Sequence, residues 1–443
     1  MTRTPNLESV STRLQRIAQL AREDPKRAFL SLAHHIDIDL LREAYRRTRK
    51  DSAPGVDGQT AAAYQEKLEE NLQSLLDRFK SGRYQAPPVR RVYIPKGSNP
   101  SKKRPIGMPT FEDKVLQRAV AMVLEAVYEQ DFLDCSYGFR PKRSAHQAIR
   151  KLWQGLMAMG GGWVLEADIQ SFYDNLDRSQ LRGFLNQRVR DGVIRRTLDK
   201  WLKAGVMEGG TLSHPTTGTP QGGVISPLLS NIYLHEVLDT WFEAVVKPRL
   251  QGEAFLIRFA DDFVLVFQRE SDARRVLEVL PKRFGKYGLS LHPDKTRLVR
   301  FEPPGRKAEP GRTQPHEESR SFDFLGFTHF WDRSRQGTWL VKRKTDSDRI
   351  TRFLRQLNQW CQGNRHAPLK RQQAQLLSKL RGHSGYYGIT GNSKSLSSVH
   401  HWAKRIWRKW LSRRSQKSAL TWERFNLLLK RYPLPNLRIC HAA

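Results

Sequence analysis

Cysteine is scarce: Cys135, Cys361 and Cys440 are isolated thiols, with no Cys-x-x-Cys pair. That argues against a disulfide framework or a zinc finger and fits a reducing compartment. No apolar run approaches the roughly eighteen residues that a membrane-crossing helix needs. Met1-Thr2-Arg3-Thr4-Pro5 carries no apolar signal core, so export is not expected. No internal repeat is visible. Acids are the most telling shortage: 44 Asp and Glu stand against 77 Lys and Arg in 443 residues, a formal charge of +33. Such a surface is expected to bind a polyanion, nucleic acid ahead of anionic membrane. The length allows two or three domains with ample core.

The few acids include two placed groups. Leu165, Ala167 and Ile169 alternate with Val164, Glu166 and Asp168, which puts Glu166 and Asp168 on one face of a strand. Further on, Phe255-Leu256-Ile257 and Phe263-Val264-Leu265-Val266-Phe267 flank Ala260-Asp261-Asp262 as hairpin arms flank a turn. An isolated Asp-Asp is an ordinary turn. Paired with a second acid-bearing strand, it is a candidate catalytic centre. Close like charges do not all stay ionised unaided. Two Mg²⁺ ions at roughly 3.5–4 Å, clamped by such carboxylates, are how polymerases stabilise an in-line phosphoryl displacement.

Residues 1–50 read as helix, and a second helix is expected over Ala61 to Lys80. Two short strands between Val89 and Pro109 surround a polar tip at residues 96–103, and helix resumes from Lys114 to Tyr128. Residues 163–301 alternate strand and helix signals. The stretch 302–320, rich in Pro, Gly and charge, reads as a loop insert, and Phe322 to Phe327 as a short strand. From Arg349 onward the chain reads as helical, with Glu423 as its single acid. There Val399, Trp402, Ile406 and Trp410 recur at helical spacing, with Trp402, Ile406 and Trp410 expected to pack inward. Lys404, Arg405, Arg408, Lys409, Arg413 and Arg414 surround them and are candidate phosphate contacts.

Other constellations accompany the acids. In Thr219-Pro220-Gln221-Gly222-Gly223-Val224-Ile225-Ser226-Pro227, two glycines permit close backbone approach to a ligand and Gln221 offers hydrogen bonds, at the opening of a helix. Lys96, Lys102, Lys103 and Arg104 stand where a hairpin tip could fold over a triphosphate, or simply be solvated. Lys295 could act as a general acid toward a leaving group, or form a salt bridge. Phe172 and Tyr173 follow Asp168 closely enough for one ring to underlie a sugar while the other packs in the core.

Taken in order, these motifs resemble the group II intron-encoded reverse transcriptases (maturases), over nearly the whole chain. Ala53–Thr60, Arg90–Thr110 and Ser136-Tyr137-Gly138-Phe139-Arg140-Pro141 resemble fingers elements. Ala167–Asp174, Thr219–Pro227, Phe259–Asp262, Gly288–Thr296 and Phe322–Phe327 resemble palm elements. Leu380-Arg381-Gly382-His383 and Tyr386-Tyr387-Gly388 are similar to the thumb.

The resemblance implies an α+β fold: a right-hand fingers and palm with an antiparallel palm sheet, then an α-helical thumb (maturase domain X). The implied divisions are an N-terminal helical extension at 1–50, fingers at 51–162, palm at 163–335 and a helical basic thumb at 336–443. Asp168, Asp261 and Asp262 would be catalytic and ligate two Mg²⁺, with the Ile169 carbonyl. Lys295 would assist catalysis, and Lys102, Arg104, Phe172, Tyr173 and Gln221 would line the nucleotide site. Expected partners are dNTPs, an RNA template/DNA primer duplex, group II intron RNA and target DNA. No membrane partner is expected, and the place is the cytoplasm, with nucleoid or ribonucleoprotein. The function implied is RNA-directed DNA polymerisation with splicing-maturase activity for intron mobility. A domesticated relative in DNA repair or phage defence, and an RNA-binding splicing chaperone with vestigial polymerase activity, are the alternatives. Two departures stand out. Phe259 occupies the position where the family usually has Tyr, and neither a His-Asn-His nuclease nor paired zinc cysteines follow the thumb, so second-strand cleavage is not expected.

Overall fold

The computed structural model describes residues 7–95, 103–213, 217–218, 222–304, 321–415 and 419–441. The chain opens with α1 (Leu7–Glu23), a 3₁₀ turn and α2 (Ile38–Arg47), whose start is fixed by the Asp37 carboxylate accepting the Leu40 N–H. The helix expected over 61–80 is two, α3 (Ala61–Glu66) and α4 (Leu68–Lys80). The break at Lys67 accompanies a hydrogen bond of 3.0 Å from the Asn71 side-chain amide to the Tyr64 carbonyl, which a continuous helix would use internally.

Strands β1 (Val89–Pro95) and β2 (Lys103–Met108) pair antiparallel, Val92 opposite Ile106. Helix α5 (Phe111–Tyr128) starts three residues before the expected Lys114, because Thr110 caps it by accepting the Asp113 N–H. It is buried on nearly every side. There follow α6 (Ala145–Met159), β3 (Gly162–Asp168), α7 (Phe172–Asn175), α8 (Arg178–Arg188), α9 (Gly192–Lys203), β4 (Val206–Glu208), β5 (Thr211–Ser213) and α10 (Ser226–Leu234). Hairpin strands β6 (Ala254–Phe259) and β7 (Asp262–Phe267) lead to α11 (Glu270–Gly285) and β8 (Arg297–Phe301). The remainder is β9 (Ser321–Phe324), β10 (Phe327–Arg333), β11 (Trp339–Thr345), α12 (Ser347–Gly363), α13 (Leu369–Tyr387), α14 (Ser393–Leu411) and α15 (Trp422–Arg431).

The described residues fall into two compact units, which make an α+β architecture. One is drawn from 1–148, 167–265 and 271–297. Its sheet has the order β2-β1-β4-β5, with β1 and β4 parallel and the outer pairs antiparallel. The other is drawn from 149–166, 266–270 and 298–443. It holds the antiparallel sheet β11-β10-β9 and a helical core of Leu357, Cys361, Leu376, Leu380, Val399, Trp407 and Phe425. Two expectations change here. Phe322 to Phe327 is not one strand, because Leu325 and Gly326 adopt positive φ and turn β9 back into β10. The stretch from 336 is not wholly helical, because β11 completes that sheet. A further sheet has the order β6-β7-β3-β8.

Candidate active site

Gly162, at the start of β3, has no room for a Cβ against the carbonyl of Phe267 at the end of β7. The two strands therefore run in opposite senses, and Asp168 at the end of β3 falls beside the turn that begins β7. The acids sit at the ends of the two inner strands, which side chains on several elements can surround.

The hairpin turn is Ala260-Asp261. Two-residue hairpin turns favour positive φ and usually recruit glycine. Here Ala260 takes φ 58°. The surroundings enforce it. Arg258 has no exposed surface, and its guanidinium donates to the Ala260 carbonyl at 3.0 Å, to both Asp239 carboxylate oxygens, to Asn231 and to Ser136. Gly138 lies under the turn, where a Cβ would collide with the Ala260 nitrogen. Asn231 donates to the Gly138 carbonyl at 2.8 Å.

Asp168 is fixed on both sides. Its carbonyl accepts the His292 N–H at 2.8 Å, and the Gln170 N–H donates to Ser290 at 2.9 Å, framing an antiparallel bridge between Ile169 and Leu291. Those bonds run through Asp168 and Ser290 rather than through the Ile169 carbonyl. The segment after the bridge curls into a 3₁₀ turn, Pro293–Lys295, and delivers the Lys295 ammonium onto the Asp168 carboxylate.

Burial raises the Asp261 carboxyl above the usual carboxylate range, and the Asp168 charge adds to it, opposed by Arg104 and Lys295. Asp168, Asp261, Arg104 and Lys295 thus act on one another as a group. Asp262 is exposed at the first position of β7. Among the described residues no cluster of three or more His, Cys, Asp or Glu is arranged to hold a metal ion. Of the expected acids, Asp168 and Asp261 act on one another through their charges. The cations beside them are side chains.

Phe172 is buried and packs edge-on against Tyr173 and Tyr233. Tyr173 is half-buried, hydrogen-bonds Ser230 and feels the charges of Asp261 and Arg104. Lys102 and Gln221 lie outside the described residues, as does most of the tip and of the insert. The close approach expected of the two-glycine loop is made to protein: a Cβ on Gly222 would strike the Gly107 carbonyl of β2, the strand that carries Arg104.

The basic helix α14 and the turn that follows it divide their cations in a way the spacing did not foresee. Trp402 is 46% exposed rather than packed, and Trp407 is fully buried in its place. The indoles of Trp407 and Trp410 donate to Gln372 and Asn358. Arg405, Lys409 and Arg413 are exposed at four-residue steps, and Arg405 lies over the Trp402 ring. Lys404 is half-buried. Arg408 instead donates to the Leu420 carbonyl at 2.8 Å, and Arg414 to the carbonyls of Ala367 and Arg365. Sequence reasoning also passed over Arg258, although a lone Arg within Phe255-Leu256-Ile257-Arg258-Phe259 signals a buried, paired charge.

The family model for reverse transcriptase (RNA-dependent DNA polymerase) matches residues 94–329. Protein YkfC of Escherichia coli (strain K12) is 34% identical over 388 residues, covering 79% of this chain and 95% of that protein. Group II intron-encoded protein LtrA of Lactococcus lactis subsp. cremoris is 38% identical over 228 residues, covering 51% of this chain and 37% of LtrA. Nuclear intron maturase 1, mitochondrial, of Arabidopsis thaliana is 30% identical over 95 residues, 21% of this chain and 13% of that protein. With the paired carboxylates on adjacent strands, these likenesses mean that the chain belongs to the group II intron reverse transcriptase/maturase family of RNA-directed DNA polymerases.

Proposed function

We propose that the chain extends a DNA primer on an RNA template at Asp168 and Asp261, and that it binds group II intron RNA as a splicing maturase. The observation that carries this reading is the convergence of Asp168 and Asp261, at the ends of neighbouring strands, with the charges of Lys295 and Arg104. Divalent metal fits such a pair, because burial and then the Asp168 charge hold the Asp261 carboxyl up, and a shared cation would offset both. Asp168 and Asp261 would hold two Mg²⁺, with Asp262 and the Ile169 carbonyl completing the set. When bound, the ions would stabilise the attacking and leaving oxygens of an in-line displacement.

The remaining roles belong to side chains. Lys295, held near the reacting phosphates by Asp168, is the proton donor to pyrophosphate. Arg104 and Lys102 neutralise the triphosphate. Tyr173, rather than the buried Phe172, lies under the incoming sugar, with Gln221 beside it. In the palm-and-thumb reading α12–α15 form the thumb, and the exposed cations of α14 contact the phosphates of template–primer or intron RNA.

The test is primer extension on an RNA template with Mg²⁺, beside filter binding of intron RNA. Wild type should extend, and Asp261→Ala should abolish extension while RNA affinity stays within a few-fold. A wild-type protein that binds RNA and promotes splicing but never extends would be a splicing chaperone, and the polymerase reading would fall.

A further inference from the structure

Asp113 lies on α5, and its side chain is enclosed by protein. One carboxylate oxygen accepts the Tyr84 hydroxyl and, at 2.7 Å, the Trp201 indole N–H. The other accepts the Gln117 side-chain amide nitrogen at 2.9 Å, one turn further along the same helix. Gln117 is buried too, and its amide oxygen accepts the Ile225 backbone N–H at 3.3 Å. Ile225 is the N-cap position of α10 and has no side-chain cap of its own. An ionised carboxylate only accepts, so Gln117 can only donate toward it. That leaves the amide oxygen facing the loop. Burial pushes the Asp113 carboxyl up to about 6, which still leaves it ionised at neutral pH.

We infer that Asp113 is a positioning residue for the loop at residues 222–225: as an obligate acceptor it sets the orientation of the Gln117 amide, and Gln117 in turn holds the Ile225 N–H and the start of α10. The Gly222 end of the same loop rests on the Gly107 carbonyl. The segment thus packs closely on β2 at one end and is hydrogen-bonded to α5 at the other. The consequence for catalysis rests on the proposed reading that this loop, with Gln221, lines the nucleotide site.

The arrangement predicts an asymmetric pair of variants. In Asp113→Asn the new side-chain oxygen keeps Tyr84 and Trp201, so its nitrogen faces Gln117. The Gln117 amide must then flip, which turns a donor toward the Ile225 N–H. Asp113→Asn combined with Gln117→Glu swaps the two groups and restores a donor–acceptor match at every contact, with unchanged net charge. Hydrogen exchange of the peptide carrying the Ile225 amide, at neutral pH on the full chain, reads the contact directly.

Loss of one hydrogen bond corresponds to exchange about fivefold faster in Asp113→Asn, with the double variant back near wild type. The KM for dNTP should rise by a similar factor in the single variant, with kcat within about twofold, and return in the double. Should Asp113→Asn not fold, Gln117→Leu leaves Asp113 two donors and carries the same exchange test. Unchanged exchange at Ile225, or a double variant no better than the single, overturns the inference. If exchange shifts and recovers while KM never moves, the positioning role stands and the assignment of the loop to the nucleotide site falls.

Discussion

Arg258 is a positive charge sealed in an apolar strand, and the turn that bears Asp261 hangs from it. Its five hydrogen bonds satisfy every direction in which a guanidinium donates. A buried ion pair is no guarantee of stability, but removing one partner leaves the other charge stranded. Arg258→Leu should therefore cost about 3–5 kcal/mol, measured by urea unfolding, with Asp239 left unpaired in the core. A loss below about 1 kcal/mol would mean that water replaces the guanidinium. The positive φ at Ala260 has the same support, and Gly138 packs so closely beneath it that a side chain there would collide with the turn.

Single elements also carry predictions. In the sheet β11-β10-β9, His329 stacks flat on Phe322 with ring centroids 4.8 Å apart. Burial, aided by the neighbouring Arg343 charge, lowers its pKa to about 3. Between pH 6.5 and 3 the unfolded chain takes up a proton that folded His329 refuses, so stability is lost as pH falls through that range. His329→Phe keeps the stack and removes the titration. Its urea midpoint should drop less than wild type between pH 7.5 and pH 5, and an equal drop would show that His329 does not titrate there. Helix α14 and the turn that follows it separate two uses of a cation. Replacing Arg405, Lys409 and Arg413 with Gln should lower the log–log salt slope of RNA binding by about 0.7–0.9 per lost phosphate contact, with melting unchanged. Replacing Arg408 and Arg414 with Gln should lower the melting temperature instead, because both fasten backbone carbonyls. Equal effects from the two sets would refute this division.

For the molecule as a whole, the charge of +33 sets the character of binding before any base is read. Unrelated RNA and heparin should both compete for the surface at low salt, and their competition should fade as ionic strength rises. Competition that survives high salt would point to recognition beyond the backbone.

Much of this was legible from residues alone, and the failures have physical causes. The alternation around Asp168 and the apolar arms around Asp261 located β3, β6 and β7, since period-two burial is a local signal. Helical spacing located α14 but misjudged which indoles point inward, because Trp402 and Trp407 differ by where α12, α13 and α15 stand. The break between α3 and α4, where the Asn71 amide meets the Tyr64 carbonyl, left no mark in the apolar spacing.

The order of strands, helices and acids, and the excess positive charge, follow from the sequence by itself, because periodicity and composition act over a few residues. The meeting of Asp168 with Asp261, the guanidinium under the turn and the line from Asp113 through Gln117 to Ile225 were decided only by the tertiary structure. Those contacts join residues far apart in the chain, and a hydrogen bond between them exists only once packing has fixed both ends.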